Sequence, residues 1–442
     1  MAKNHPMFVR IIFAAFAIVA VVSLARRARA QESELAALRT AAQTNDAAAQ
    51  VRLGRVLRRA GHFDEAVAML RRGARGGQRV EALYEIARVR FDQSNFRAAE
   101  TACRALPARG PEAIWRHVCS ARAYLVWHRV ALAERAIALA SAIDANHGEL
   151  HLAIADSNRM SNHVQEAETH YRAAATALAG RDEPYLGLGL MYETAQRFDE
   201  AHTAYRRAVE VDASDPTAAL ALGRFLLRRR HEHAAALPVL QRAAQGRPNW
   251  AEALVVLGDA QLAAGSTADA LQTFTQTVQL APTQPGAQSG LGRARLANRQ
   301  PAEAEAPLRA AIEQVPNDAE AHAALADVLA QSNRREDALR EWDRAIDLMP
   351  NDPAPRMRAA ELAHTMVQNS LARAYLDRIL SDDARYAPAL MLRADIAFEE
   401  NDRTNARQLY QSALTGHGTL DRARAQSRIA EIDAPQLRQR RR

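Results

Sequence analysis

One lysine, Lys3, stands against 57 arginines in a chain of 442 residues. The body therefore has no lysine for a phosphate-binding loop, a Schiff base or a lysine nucleophile, and those enzyme classes are excluded. Aromatic residues make up only 5% although 48% of the chain is hydrophobic, which suits helices packed through Ala and Leu and not one large globular core. The longest apolar run, Ile11 to Ala25, spans 15 residues and falls short of the roughly 20 that a membrane-spanning helix needs. No cysteine stands directly after that run, so lipid attachment at a lipoprotein cleavage site is excluded. The two cysteines present, Cys103 and Cys119, suit a disulfide or two small buried side chains, and sequence does not give the Cα separation that would decide.

Catalytic and metal-binding patterns are equally sparse. His231-Glu232-His233 lacks the second histidine that a helical zinc site needs four residues after the first. His147 and His151 have that spacing, but the repeat phase described below puts His147 in a turn, so the two rings need not converge. The chain is read as non-enzymatic, with no cofactor and no metal. The net charge of +7 does not point to nucleic acid either. Residues 1–30 contribute +5 and the last residues, with Arg438, Arg440, Arg441 and Arg442, contribute +4, leaving the body near −2. A nucleic-acid binder carries its positive charge along the binding face.

What is abundant is an alanine that returns eleven times: Ala66, Ala99, Ala133, Ala167, Ala201, Ala236, Ala270, Ala304, Ala338, Ala372 and Ala406. The step is 34 residues, apart from one of 33 and one of 35, a period that marks stacked helix-turn-helix units. About one helix earlier runs a second small column: Gly54, Ala87, Ala121, Ala155, Gly189, Gly223, Gly258, Gly292, Ala326, Ala360 and Ala394. Small residues in both columns let two antiparallel helices cross closely. Four residues after each repeating alanine comes a mostly bulky column, among it Leu70, Cys103, Tyr171, Tyr205, Leu240, Phe274, Leu308, Trp342 and Tyr410, which fills the space between units. Pro248, Pro282, Pro316 and Pro350 follow the second helix of their units, where proline cannot continue a helix.

These residues resemble the tetratricopeptide repeat. The unit beginning near Asp182 matches best, with Tyr185, Leu188, Gly189, Tyr192, Phe198, Ala201, Tyr205 and Ala208 on the family's pattern. The resemblance implies an all-α fold, a right-handed superhelix (α-solenoid) of about eleven helix-turn-helix repeats over residues 47–418, with neighbour-only contacts. Packing is expected to be least regular in the first three units, where Arg90 and Gly73 depart from the pattern, and in the tenth, with Asn369 and Ile379. A capping helix is expected at each end, over residues 31–46 and 419–433, with a basic tail over 434–442. The tail suits a disordered end or a weak contact with a membrane surface.

Residues 1–30 read as a targeting segment: a basic start, the apolar run, then Ala28-Arg29-Ala30 before Gln31. Arg26, Arg27 and Arg29 beside the run also suit an uncleaved membrane anchor. Periplasmic or secreted and inner-membrane-anchored locations both stand.

In the family the first helix of each pair lines a concave groove, and the resemblance carries that role to columns here. Arg55, Arg88 and Arg122, reinforced by Arg58 and Arg59, form an arginine-rich opening, whereas acids dominate the same column near the C-terminus. The column suits either a polarised groove that orients an extended ligand or a helix face laced with ion pairs. Leu220, Leu227, Val255, Leu262 and Leu296 form an apolar middle, open to a peptide or packed on the next repeat. The expected function is an exported bacterial scaffold or adaptor for proteins or peptides in envelope assembly. The alternatives are a membrane-anchored assembly factor and a non-catalytic subunit of an enzyme complex.

Overall fold

The computed structural model describes residues 36–43, 46–213 and 215–440, the last six without side-chain detail. The targeting segment expected over residues 1–30 lies outside them, as do Arg441 and Arg442. All regular structure among the described residues is helical. After a segment at 36–43 (α1) come eleven helix pairs and a closing helix. The first six pairs are α2 (Ala47–Arg59) with α3 (Phe63–Arg75), α4 (Arg79–Asp92) with α5 (Phe96–Arg104), α6 (Ala113–Val126) with α7 (Val130–Ser141), α8 (Gly148–Met160) with α9 (Val164–Ala177), α10 (Glu183–Thr194) with α11 (Phe198–Val211), and α12 (Pro216–Arg228) with α13 (His233–Gly246). The remaining five are α14 (Ala251–Ala263) with α15 (Thr267–Leu280), α16 (Ala287–Ala297) with α17 (Pro301–Gln314), α18 (Ala319–Gln331) with α19 (Arg335–Leu348), α20 (Pro353–Thr365) with α21 (Asn369–Asp382), and α22 (Ala387–Glu399) with α23 (Arg403–Thr415). The closing helix α24 runs Arg422–Arg440, beyond the expected 419–433 and into the basic tail, whose Gln, Leu and Arg are good helix formers. The chain divides within α14 into an N-terminal unit through Val256 and a C-terminal unit from Leu257. No described helix is long and apolar enough to cross a membrane.

Both small columns sit where helices cross. Every repeating alanine from Ala66 to Ala406 is fully buried. A Cβ added at Gly54, Gly189, Gly223, Gly258 or Gly292 would lie 2.4–2.6 Å from Leu70, Tyr205, Leu240, Phe274 or Leu308, the bulky residue of the same pair. At these five crossings a large side chain reaches the facing backbone. Helix starts are fixed by Asp46, Asn95, Asp215, Asp318, Asp352 and Asp402, whose side chains accept hydrogen bonds from first-turn amides. Helix ends before the proline column are equally determined. Arg247, Ala281, Val315 and Met349 leave the helix with ψ of 68–88°, because a residue preceding proline is driven from the helical region.

A further column emerges only in three dimensions. The turn inside every pair holds one residue at positive φ: Gly61, Ser94, His128, Asn162, Gln196, His231, Gly265, Arg299, Asn333, Val367 and Asn401. The next amide bonds back to a carbonyl near the helix end, as His62 N does to Leu57 O and Gln368 N to Ala363 O, closing the helix as a left-handed cap. Only two of these eleven residues are glycine, so the turns carry no sequence signature.

Irregularity concentrates in the second pair. Helix α5 has only 9 residues, and the Cys103–Cys119 disulfide, with Cα atoms 5.5 Å apart, ties it to α6. The tenth pair is regular, because Ile379 is buried in the column that alanine fills elsewhere.

Candidate ligand-binding groove

The first helices of the N-terminal unit line a half-open cavity of about 600 Å³. Its lining comes from α2, α4, α6, α8, α10, α12 and the start of α14, with Arg247 at the end of α13. The apolar part is Phe91, Leu125, Val126, Met160 and Leu186; Val126 remains 46% exposed. Much of the rest is charged.

The arginines expected at the groove opening are held by carboxylates of the same unit. Arg55 Nε donates to Glu85 at 2.9 Å, and the same guanidinium reaches Glu81. Arg58 donates to Asp92 at 2.7 Å and lies 3.6 Å from Glu85. Arg88 joins Glu85 at 3.1 Å to Glu183, three pairs further on. Arg122 donates to the Tyr84 hydroxyl at 3.1 Å and lies 3.3 Å from Glu149, which accepts from Tyr84 at 2.7 Å. Arg59 reaches furthest: it pairs with Asp212, lies 3.4 Å from Asp215 and 3.8 Å from Asp182, and so fastens the first pair to the fifth and sixth. Neighbour-only contact therefore fails in this unit. A guanidinium spans more than one repeat when the inner faces of the first helices approach one another.

Burial would raise the carboxyl of Glu85, but the charges of Arg88, Arg58 and Arg55 outweigh it and hold it at about 2. Asp182 goes the other way. It is fully buried and its oxygens accept no hydrogen bond; burial, then the repulsion of Asp215 and Glu183, lift it to about 8 against the pull of Arg59.

The apolar middle is not an exposed strip. Leu220, Leu227 and Val255 are buried at 2%, 8% and 8% exposure, packed within the repeats. Leu262 is half-buried, and Leu296 packs on the core formed by Leu308, Leu325 and Trp342 in the C-terminal unit. Their periodicity reports packing between repeats, which a groove-facing register alone does not distinguish from exposure. Other apolar residues, Val126, Met160 and Leu186, line the cavity instead.

The acids that hold the arginines are only partly legible in the sequence. Glu85 and Arg88 lie three apart on one helix and were legible in principle, whereas the pairs of Arg59 and Arg88 with residues 153 and 95 positions away were not. His147 packs edge-on against Trp115, and His151 faces His170 at 3.0 Å, so the two histidines do not converge on one site. No group of three or more His, Cys, Asp or Glu side chains among the described residues could hold a metal ion.

Comparison with family models identifies the repeat. Two family models described as tetratricopeptide repeat match the chain, one over residues 51–114, 186–249, 226–285 and 367–427 and the other over 261–328, more than half of its length. The chain belongs to the tetratricopeptide repeat family. Among solved structures, a tetratricopeptide repeat protein from Parabacteroides merdae is 16% identical with a TM-score of 0.45, covering 57% of this chain and 98% of that one. The Cut9–Hcn1 complex of the APC/C is 12% identical with a TM-score of 0.44, covering 88% and 90%. YrrB, described as a tetratricopeptide repeat protein with an unusual peptide-binding site, is 22% identical with a TM-score of 0.35, covering 42% and 95%. No curated protein matches the chain. The tetratricopeptide fold is in general a non-catalytic protein-interaction scaffold.

Proposed function

We propose that this tetratricopeptide protein is an exported bacterial scaffold that docks a peptide segment of a partner protein in the cavity of its N-terminal unit. The observation that carries the reading is the lining of that cavity. Apolar side chains from successive first helices, Phe91, Val126, Met160 and Leu186, stand beside arginines in a concave space large enough for several side chains. A peptide segment gains from both: apolar burial supplies affinity, and fixed charges set register. Export is supported by the apolar run before Ala28-Arg29-Ala30 and by the Cys103–Cys119 bond, since disulfides persist in oxidising compartments. A membrane-anchored form of the same scaffold is favoured by one observation, the three arginines directly after the apolar run.

A photoreactive side chain placed at Val126, compared with one at the exposed Leu139 of α7, tests the docking site in living cells. Discrete adducts from position 126 and none from 139 are expected; equal labelling would remove the cavity from the function. N-terminal sequencing of the protein from cells tests export, with a mature chain beginning at Gln31 expected. An intact chain in the inner membrane would support the anchor, and a cytosolic protein would defeat both.

A further inference from the structure

Six arginines line the cavity, and five of them have acidic partners. Arg58, Arg59, Arg88 and Arg122 are held as described, and Arg159 donates to the Tyr171 hydroxyl at 3.1 Å and lies 3.7 Å from Asp156. Arg247 differs. Among the described residues no carboxylate lies within ion-pair distance of it. Its guanidinium instead sits 4.9 Å from the Phe63 ring centre and 4.8 Å from that of Trp250. Stacking on aromatic rings engages the face of a guanidinium and leaves its N–H edge free to donate. None of its side-chain nitrogens is both buried and unbonded.

The chain makes room for this group. Gly61 takes the positive-φ place in the first turn, at 80°, and a Cβ there would lie 2.6 Å from Arg247 Nε. Asn, Ser and His occupy the same turn position in other pairs, so the conformation alone does not demand glycine. The nearby acids are engaged elsewhere: Asp92 by Arg58, Asp215 by Arg59 and Glu252 by Arg224 at 3.0 Å. Burial lowers the pKa of Arg247 more than these acids restore it, as expected of a cation that lacks a dedicated counter-charge.

We propose that Arg247 is the anchor of the docking site and receives an Asp or Glu side chain of the bound peptide, while a neighbouring apolar side chain of that peptide lies on Val126, Met160 and Leu186. The proposal rests on the cavity being the peptide site. A planar fork held on two rings meets a carboxylate with two parallel hydrogen bonds and little ordering cost, so it selects an acid over its amide.

A random twelve-residue peptide library, fused through its C-termini so that only side chains supply carboxylates, is selected in parallel on the purified wild type, Arg247→Gln and Gly61→Asn. Gly61→Asn keeps a residue suited to the turn while crowding the guanidinium off its place, and circular dichroism establishes that both variants remain folded. Wild-type selections should be enriched in Asp or Glu beside Leu, Ile, Phe or Met, and both variants should lose the acid but keep the apolar preference. Replacing the acid of the best peptide by its amide should weaken wild-type binding at least tenfold and leave binding to Arg247→Gln unchanged. Equal acid content in all selections, or equal affinity of acid and amide for the wild type, overturns the anchor while leaving peptide docking intact. Failure of every selection to enrich any peptide removes the docking reading, and the anchor with it.

Discussion

The two units are built from one repeat yet hold themselves together differently. In the C-terminal unit the described side-chain hydrogen bonds link residues at most 34 apart, such as Arg293 with Asp259 and His417 with Asp383. In the N-terminal unit, bonds cross 65, 95 and 153 residues, at Tyr84–Glu149, Arg88–Glu183 and Arg59–Asp212. A solenoid's stability is ordinarily a sum of units and nearest-neighbour interfaces. The C-terminal unit fits that description, whereas in the N-terminal unit the first pair depends on the fifth and sixth. The lesson is that identical helix packing leaves the charges of the inner face free to decide how far cooperativity reaches.

Removing Arg59 should break the contrast most. Its side chain is 17% exposed and pairs with Asp212 and Asp215, so Arg59→Ala strands buried charge and should cost about 3–5 kcal/mol. Urea unfolding should show the N-terminal unit melting earlier with the C-terminal transition unmoved. A loss below about 1 kcal/mol would mean that the long-range pairs are ornaments of a neighbour-coupled solenoid.

Overpacking should separate the units by the reach of the damage. A Cβ at Gly292 would meet Leu308 at 2.4 Å and one at Gly223 would meet Leu240 at 2.5 Å, so leucine at either should cost about 1–3 kcal/mol. Hydrogen exchange should rise only in the eighth pair and its neighbours for Gly292→Leu. For Gly223→Leu it should rise also in α2, because Arg59 is fastened to Asp215 at the start of α12. Purely local exchange in both would erase the distinction.

The buried acid gives the N-terminal unit its own pH dependence. A carboxyl raised to about 8 in the fold keeps its proton there while the unfolded chain, near pH 4, releases it. Its contribution is therefore favourable to folding at low pH and is lost progressively as pH rises from about 4 to about 8. Asp182→Asn should accordingly raise the melting temperature of the N-terminal unit by a few degrees at pH 8, with the gain shrinking towards pH 5. A gain independent of pH would show that Asp182 titrates normally.

The smallest expected effect concerns the C-terminal unit. Val367 is 83% exposed and holds φ at 62°, a region unfavourable to branched side chains. Val367→Asn, matching Asn333 and Asn401 at the same turn position, should stabilise that unit by about 1 kcal/mol with no change in the other. Calorimetry resolving the two transitions checks it.

The helical period, the number of pairs and the close crossings were legible because they follow from residues that recur every repeat. Ala66 to Ala406 are buried for the same reason each time, so eleven copies reinforce one inference. The groove was legible only as a set of helices. Arg88 and Arg122 line the cavity whereas Arg55 does not, and sequence spacing did not show that Glu81, Glu85, Glu149 and Glu183 meet these arginines. Leu220 and Leu227 lie on a helix face that is apolar whether it meets a ligand or the next repeat, and burial decided for the repeat. Arg247 gave no signal, because it stands at a helix end among many arginines and acquires its character from Phe63, more than five repeats earlier.

By itself the sequence determined what repeats: helix length, the crossing columns, the proline-bounded ends and membership of a stacked architecture, all consequences of local sterics and a period of 34 residues. The tertiary structure alone decided which charges are neutralised, which apolar residues stay open and where an unpaired cation stands. Those depend on the small rotation from one repeat to the next, summed over six of them, and no single repeat encodes that sum.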